Sequence, residues 1–292
     1  MQTINLSKSK ATSLEALPLD YTIFNTEGKL FRIKYLNKDL VLKSLYNNSG
    51  FIFANKLYTI EMLDTYKHSL PRSFCVPNYL VTINKNVEGF AMPYIEGENF
   101  ATVTANNNIS LEEKLYYYKK IGDILNQLKS IRRYTSLKDF YINDLHEGNI
   151  IVNPNNREVS FIDLDSCKVG SNCAFSSKYL NNGELLENKP YKYKYNTDNN
   201  APGYLIANEN SDIYCYIIML LNFLLDDDLW RINETELLEF LNYLDIIGVN
   251  KELLYSIETI TKKDKNNKNP RDYLETLTLK QIVKARRYYS KK

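Results

Sequence analysis

The sequence has little histidine and no clustered cysteine. Its 292 residues include two histidines and four cysteines, and the cysteines at positions 75, 167, 173 and 215 form no C-x-x-C pair. Because a structural zinc site needs several Cys and His ligands close together, this pattern excludes such a site. Scattered, unpaired cysteines are typical of a reducing compartment, so we expect a cytoplasmic protein.

An excess of charge of one sign and long apolar runs are also lacking. The 37 Lys and Arg are balanced by 35 Asp and Glu, and the net charge of +2 indicates no nucleic-acid partner. The most apolar stretch, residues 213–225, spans only about 13 residues, whereas a membrane helix needs about 20. We therefore expect a buried helix there and no membrane span. The first 20 residues contain no apolar signal-peptide core.

The composition that is present is that of a globular protein. Hydrophobic residues make up 44% of the chain and charged residues 25%, both near the averages of soluble domains. A chain of this composition can form a hydrophobic core. At 292 residues, two domains of roughly 100–200 residues each are expected.

The first third of the chain carries short runs of β-branched and aromatic residues, with turn-forming residues between several of them. These runs are residues 21–24, 30–36, 40–45, 79–83 and 89–95. Residues 51–68, by contrast, have recurring apolar side chains and few turn formers, which predicts a helix. The pattern therefore predicts a first domain of five antiparallel strands and one helix.

Beyond the last of these runs the periodicity changes to that of helices. Ser110 followed by Glu113 is a capping-box signature, and apolar residues then recur every three or four positions up to Ile131. The pattern is helical again from Ser211 onwards. We therefore predict an α+β fold whose second domain is mainly helical, with one β-hairpin within residues 149–165.

This hairpin is the most informative segment. Strand-like residues Asn149–Val152 and Val159–Asp163 flank a turn, and pairing them about its centre sets Asn149 roughly opposite Asp163. Asp144 lies five residues before Asn149, in the loop that enters the hairpin. Two carboxylates and an amide oxygen at one loop end suit Mg²⁺ with bound phosphates, because Mg²⁺ takes hard oxygen ligands. Each of these residues alone is a common turn residue, but the combination is much rarer by chance.

These residues carry a family resemblance. Residues 144–149 (DLHEGN), followed by Phe161-Ile-Asp163, resemble the catalytic loop and the metal-binding motif of the protein-kinase-like superfamily. Val41-Leu-Lys43 is similar to the strand that carries the family's phosphate-contacting lysine. Glu61, on the predicted helix, is similar to the ion-pair partner of that lysine. The order and spacing of these motifs make the resemblance specific.

Two further segments extend the resemblance over most of the chain. Residues 90–97 (FAMPYIEG) are similar to the family's hinge, with Met92 at the gatekeeper position. Tyr94 and Ile95 would then offer backbone groups to adenine. Asp212, at the start of the apolar helix, is similar to the aspartate that braces the catalytic loop.

The resemblance implies a bilobal kinase-like fold with ATP and Mg²⁺ as cofactors. The N-lobe would comprise residues 1–95 and bind the nucleotide, with residues 1–16 as an extension. The C-lobe would comprise residues 96–292 and carry the catalytic loop and an activation-like segment at residues 163–203.

The resemblance also implies a role for each residue of the nucleotide site. Lys43 would contact the α- and β-phosphates and be oriented by Glu61. Gly28 would belong to the loop that covers the phosphates. Asn149 and Asp163 would hold Mg²⁺.

Two residues of the catalytic loop complete the implied site. Asp144 would accept or orient the proton of the attacking hydroxyl group. His146 would contact the γ-phosphate or serve only as a structural residue of the loop. Its motif, D-L-H-x-G-N, is similar to that of aminoglycoside and choline kinases.

Several residues depart from the family pattern. Gly28 is a single glycine where the family's phosphate loop usually has three, which predicts weaker phosphate binding. Residues 142–144 (IND) replace the H-R-D motif. Asp165 occupies the glycine position of D-F-G and would share a strand face with Asp163 if that strand continues. It is either a second metal ligand or an ordinary hairpin carboxylate.

The resemblance implies an enzyme that transfers the γ-phosphate of ATP to Ser or Thr hydroxyls of a protein substrate. The length of the 163–201 segment and the sequence Ala201-Pro-Gly203 favour a protein acceptor. Gly203 stands where the family has a glutamate, which predicts that Arg271 lacks its usual partner. The alternatives are a small-molecule phosphotransferase, favoured by His146, and a weakly active pseudokinase that acts as a binding module.

Overall fold

The structure, a computed structural model, describes residues 1–14, 28–46, 49–172, 179, 209–258 and 269–288. The chain forms two compact units. The first comprises Met1–Thr102, Ile131–Phe140 and Glu147–Cys173, and the second comprises Val103–Ser130, Tyr141–His146 and Ala174–Lys292. The division predicted between residues 95 and 96 stays a prediction.

Five strands of the first unit form one sheet: β1 (Gln2–Leu6), β2 (Gly28–Tyr35), β3 (Lys38–Leu45), β4 (Tyr79–Ile83) and β5 (Asn86–Pro93). Their order in the sheet is β1-β4-β5-β3-β2. Strand β3 is antiparallel to β2 and β5, and β4 is antiparallel to β5, whereas β1 is parallel to β4. The sheet is therefore mixed, and the prediction of a wholly antiparallel sheet is wrong.

The parallel strand β1 lies within residues 1–16, which the sequence predicts to be an extension. Its side chains alternate, with Ile4 and Leu6 buried and Thr3 and Asn5 exposed, as a strand with one buried face requires. By pairing with β4, it covers an edge whose backbone groups would otherwise be unpaired. Residues 2–6 thus belong to the sheet, and residues 21–24, predicted as a strand, lie outside the described residues.

Two helices occur among the described residues of the first unit's N-terminal part. Helix α1 (Lys8–Thr12) follows β1, and α2 (Gly50–Tyr66) continues into a 3₁₀ turn at Lys67–Ser69, which confirms the helix predicted over residues 51–68. The buried residues of α2 recur at three- and four-residue steps and include three polar ones: Asn55, Lys56, Thr59, Ile60 and Leu63. A buried lysine in this face indicates a polar partner beneath the helix.

The sheet is buried on both faces at its central strand, β3. Leu40 and Leu42 of β3 contribute to one apolar cluster, together with Ile4 of β1. Val41, between them, contributes to a second cluster with Ile60 of α2. Strand β3 is therefore a central, doubly covered strand, and its side chains alternate between two cores.

A second, smaller sheet contains the predicted hairpin. Its strands are β6 (Glu98–Asn99), β7 (Ile150–Asn153) and β8 (Glu158–Phe161), in the order β6-β7-β8. Ile150 pairs with Phe161 in the hairpin register. The N–H of Ile162 donates to the carbonyl of Asn149 at 3.0 Å, so Ile162, one residue before Asp163, is the partner of Asn149.

Within the described residues, six further helices follow: α3 (Phe100–Ala105), α4 (Leu111–Tyr134), α5 (Glu209–Leu225), α6 (Glu234–Ile246), α7 (Lys251–Glu258) and α8 (Leu279–Arg286). Most of their residues belong to the second unit, so the α+β class is confirmed. Ser110 Oγ accepts the N–H of Glu113 at 3.1 Å, which confirms the predicted start of α4.

Helix α5 is the buried helix that the sequence predicts. The Tyr118 hydroxyl of α4 donates to the carbonyl of Met219 at 3.1 Å, and the Tyr216 hydroxyl donates to the carbonyl of Tyr118 at 2.7 Å. These bonds satisfy two phenol groups that lie inside the core. None of the described helices is long and apolar enough to cross a membrane.

Candidate active site

Four charged side chains of the first unit meet in a buried ion-pair cluster, formed by Lys43, Lys56, Asp163 and Asp165. The Nζ atom of Lys43 lies 2.5 Å from Asp163 Oδ1 and 3.0 Å from Asp165 Oδ1. The Nζ atom of Lys56 lies 2.6 Å from Asp165 Oδ2. The cluster thus joins β3, α2 and the segment after β8, and it balances two positive charges with two negative ones.

Close backbone approaches fix Lys43 in the middle of the sheet. A Cβ atom on Gly89 of β5 would lie 2.0 Å from the carbonyl oxygen of Lys43, and one on Gly28 of β2 would lie 2.3 Å from that of Ser44. Glycine is required at both positions, because any side chain would displace β3. Gly28, predicted to contact phosphate, therefore lies in β2 with its Cα against the backbone of β3.

The segment after β8 bends so that two carboxylates two residues apart reach Lys43. Strand β8 ends at Phe161, and Asp163 has a φ of 59° in the left-handed region. A 3₁₀ turn at Leu164–Ser166 then buries Asp165. The two carboxylates meet at Lys43 because of this bend, and not because the strand continues.

The two carboxylates of the cluster differ in exposure. The Asp165 side chain is 0% exposed, whereas that of Asp163 is 31% exposed. Asp165 is therefore enclosed by its protein partners. Asp163 keeps access to solvent and can contact a ligand.

The cluster separates the proton affinities of its carboxylates. Although part of the Asp163 side chain is exposed, desolvation of its carboxyl group raises the pKa and outweighs the opposing charge of Lys43, and the charge of Asp165 adds to the rise. Burial also opposes ionisation of Asp165, but Lys43 and Lys56 together hold the pKa of Asp165 well below its usual range. Asp165 therefore loses its proton more readily than Asp163.

Asn149 lies at the same hairpin end as Asp163. It ends a 3₁₀ turn at Glu147–Asn149, and the side chain of Asn99 donates to the carbonyl of Gly148 at 2.8 Å, which holds that turn. An amide oxygen and a part-exposed carboxylate at one hairpin end fit the oxygen chemistry of Mg²⁺. No group of three or more His, Cys, Asp or Glu side chains suited to a metal ion occurs within the described ranges.

The structure does not bring Glu61 to Lys43. Glu61 is exposed on α2, and the α2 side chain that enters the ion-pair cluster is Lys56. Sequence reasoning missed Lys56, although its three- and four-residue spacing to Thr59 and Leu63 could have placed it on the buried face of the helix.

The predicted hinge residues lie at the end of β5. Met92 is buried opposite Val41 of β3. The N–H of Tyr94 donates to the carbonyl of Asp39 at 3.0 Å, so this backbone group is already bonded within the first unit. Ile95 packs against the apolar cluster around Val41.

In the second unit, Asp212 braces the loop of residues 141–146. Its Oδ2 accepts the N–H of Ile142 at 3.2 Å, and its Oδ1 accepts the N–H of Asn143 at 2.9 Å. Asp212 therefore makes the contacts with this loop that the resemblance implies, and the catalytic role of the loop stays a prediction. Asn143 has a φ of 64°, a conformation that asparagine tolerates better than most residues.

The braced loop brings Asp144 and His146 together. Nε2 of His146 lies 3.8 Å from Oδ1 of Asp144, and the histidine is almost fully buried. Its ring lies nearly perpendicular to that of Tyr179, with the ring centroids 6.2 Å apart. The imidazole is therefore enclosed next to the carboxylate that the resemblance assigns to proton transfer.

The loss of its usual partner does not leave Arg271 unpaired. Its Nε lies 2.8 Å from Asp123 of α4, and its Nη1 lies 2.9 Å from Glu275. These carboxylates neutralise the guanidinium without a glutamate at position 203. Gly203 itself lies outside the described residues.

Comparison with known proteins does not identify a family. No protein-family model matches the chain, and no curated protein matches it significantly.

Proposed function

We propose that this protein is an ATP- and Mg²⁺-dependent phosphotransferase that phosphorylates Ser or Thr hydroxyls of a protein substrate. The supporting observation is the 2.5 Å contact between Lys43 and Asp163, which are 120 residues apart in the sequence. A buried strand lysine held against a part-exposed aspartate at a hairpin end is the charge arrangement that phosphoryl transfer uses. Under this proposal the five-stranded sheet and α2 belong to an N-lobe, and helices α4–α8 belong to a C-lobe.

Each residue of the first unit would act through positioning and charge. Lys43 would exchange part of its contact with Asp163 for the α- and β-phosphates of the nucleotide. Asp163 and Asn149 would hold Mg²⁺ through a carboxylate and an amide oxygen. Bound Mg²⁺ supplies neutralisation of the phosphate charge.

In the second unit, Asp144 would accept the proton of the acceptor hydroxyl. The bonds from Asp212 to Ile142 and Asn143 support this role, because a general base must be held in a fixed position. Asp144 keeps partial exposure, with 18% of its side chain accessible, so an acceptor can reach it.

A small-molecule acceptor is the second candidate. The observation that favours it is the buried imidazole of His146, 3.8 Å from Asp144, in a D-L-H sequence similar to that of aminoglycoside and choline kinases. A histidine at this position would add a hydrogen-bond donor for the γ-phosphate or for the acceptor.

Transfer of labelled γ-phosphate tests the proposal directly. The chain is incubated with γ-labelled ATP, Mg²⁺ and either a generic protein or a panel of sugars and amino alcohols. Asp144→Asn and Asp163→Asn should each reduce transfer by at least about 100-fold, and chelation of Mg²⁺ should abolish it. Asp245→Asn, an exposed aspartate on α6, is the matched control and should act as wild type.

The outcomes separate the candidates. Transfer to protein alone supports the first candidate, and transfer to a small hydroxyl compound alone supports the second. Absence of transfer to every acceptor, together with no rise in melting temperature on adding ATP and Mg²⁺, would overturn both. Equal activity of Asp163→Asn and wild type would also contradict the assigned roles.

A further inference from the structure

A buried phosphate-contacting lysine needs a carboxylate that orients it. The Lys43 side chain is 1% exposed, and an ammonium group removed from water is strongly unfavourable unless it is paired. Asp163 can provide only part of this pairing, because the proposed function also requires it to hold Mg²⁺. Glu61, which the resemblance assigns to this task, is exposed on α2.

Asp165 has the geometry of an orienting carboxylate. Its two oxygens lie 3.0 Å and 3.2 Å from Nζ of Lys43, so both face the ammonium group. It is fully buried, and such charge-assisted bonds are strongest where water is excluded. Asp165 therefore restricts Lys43 to one position.

Lys56 fixes the position of Asp165. Nζ of Lys56 lies 2.6 Å from Asp165 Oδ2 and 3.4 Å from the hydroxyl of Ser166. A glutamate contributed by α2 would place a third carboxylate beside Asp163 and Asp165. Because Asp165 already supplies the carboxylate, the cluster requires a positive charge from α2, and Lys56 provides it.

We propose that Asp165 is the residue that positions Lys43, and that Lys56 positions Asp165, so that α2 acts on the nucleotide site through a cation. The kinetic consequences of this inference rest on the proposed function. The orienting carboxylate would come from the segment two residues after the metal-binding Asp163, and a displacement of that segment would disturb both groups together.

Hydrogen bonds tie the same segment to α2. The side-chain amide of Asn172 donates to Oγ1 of Thr59 at 2.6 Å and to the carbonyl of Cys167 at 2.8 Å. Its oxygen accepts the N–H of Val169 at 2.7 Å. Residues 165–172 and α2 are thereby linked at both ends of the segment, which keeps Lys56 and Asp165 in register.

A role for Asp165 as a second metal ligand fits the geometry less well. Both of its oxygens already face ammonium groups, and none of its side chain is exposed. The dependence of activity on Mg²⁺ concentration separates these roles, because loss of a metal ligand raises the Mg²⁺ concentration needed for half-maximal activity.

The first experiment compares Asp165→Asn, Lys56→Met and their double variant with Glu61→Gln as the matched control. Asp165→Asn and Lys56→Met should lower kcat by about 10–100-fold, because small displacements of a positioned group have effects of that size. The Mg²⁺ requirement should stay unchanged, and Lys56→Arg should restore most of the activity. Glu61→Gln should equal wild type.

The double variant tests whether Lys56 acts through Asp165. It should lose no more activity than Asp165→Asn alone, because Lys56 then has no carboxylate to hold. Additive losses would overturn the inference, as would a raised Mg²⁺ requirement in Asp165→Asn or a loss of activity in Glu61→Gln. The double variant removes one charge of each sign, so it can replace Asp165→Asn in a measurement of the Lys43 resonance if Asp165→Asn does not fold.

A second experiment reports on Lys43 without needing activity. In protein labelled with ¹⁵N at lysine, the ammonium resonance of Lys43 is assigned as the signal lost in Lys43→Arg. Asp165→Asn, or the double variant, should shift or remove this resonance, and Glu61→Gln should leave it in place. An unchanged Lys43 resonance in Asp165→Asn or the double variant, or a shifted resonance in Glu61→Gln, would overturn the inference. Failure of the proposed function shows separately, as absence of phosphate transfer by wild type.

Discussion

Asp212 holds Asn143 in a left-handed backbone conformation. Oδ1 of Asp212 accepts the N–H of Asn143 at 2.9 Å, and Asn143 has a φ of 64°. Both residues are buried, so water cannot replace this bond. The shape of the loop that carries Asp144 therefore depends on a carboxylate that lies about 70 residues further along the chain.

Removal of that carboxylate should destabilise the loop and the second unit. Asp212→Ala leaves two buried N–H groups without an acceptor, so we expect a loss of about 2–4 kcal/mol in the free energy of unfolding. Urea denaturation followed by circular dichroism measures this loss. Asp245→Ala, which alters an exposed aspartate, should change stability by less than about 0.5 kcal/mol. Equal stability of the two variants would contradict the bracing role.

The side chain of Asn172 should contribute to the stability of the first unit, as that of Asp212 does to the second. Asn172 makes three hydrogen bonds through its side chain, to Thr59, Cys167 and Val169, while it is buried. We expect Asn172→Ala to lower the free energy of unfolding by about 1–3 kcal/mol, because at least one buried group loses its partner. Asn155→Ala, in the exposed hairpin turn, is the control. Protection of the α2 amides against hydrogen exchange should fall only in Asn172→Ala.

The sequence predicts much of the fold because the periodic elements are local. Strands β3 and β4, helices α2 and α4, and the hairpin follow from alternation, capping and turn residues, which act over a few positions. Strand β1 could not be predicted in this way. Its five residues pair in parallel with β4, far along the chain, and such pairing leaves no local signal.

The sequence predicts some members of the candidate site but neither Lys56 nor the pairing of the charges. Lys43 and Asp163 can be chosen from motif order. Lys43 pairs with Asp165, and not with Glu61, because the chain bends after β8 through a left-handed residue and a 3₁₀ turn. A prediction that continues the strand through these residues does not contain this bend. Lys56 of α2 carries a positive charge because a buried carboxylate, here Asp165, must be paired with a cation.

Close packing beside Lys43 gives a third prediction. A Cβ on Gly89 would lie 2.0 Å from the carbonyl oxygen of Lys43, so Gly89→Ala should force β5 and β3 apart. We expect a loss of about 1–3 kcal/mol in the free energy of unfolding, as for other overpacked sites. The ammonium resonance of Lys43 should shift as well.

Gly50→Ala is the matched control for Gly89→Ala. Gly50 has a φ of +78°, but an added Cβ would meet no described atom within 4 Å beyond its chain neighbours and the backbone of its own helix. Gly50→Ala should lower the free energy of unfolding by about 1 kcal/mol through backbone strain and leave the Lys43 resonance unchanged. An unshifted Lys43 resonance in a folded Gly89→Ala protein would contradict the close approach.

Cys75 should stay unreactive in the folded protein at pH values where an ordinary thiol reacts. Burial raises the pKa of the Cys75 thiol from 9.0 to about 12, and only the thiolate is nucleophilic. Because the folded pKa lies above the unfolded one, the stability linked to this thiol is complete below about pH 9 and declines as the pH rises towards 12. Iodoacetamide labelling at pH 8.5 with peptide mass spectrometry should modify Cys75 in urea but not in buffer. The decline in stability above pH 9 should be smaller in Cys75→Ala, and rapid labelling of native Cys75 would show that the thiol is not enclosed.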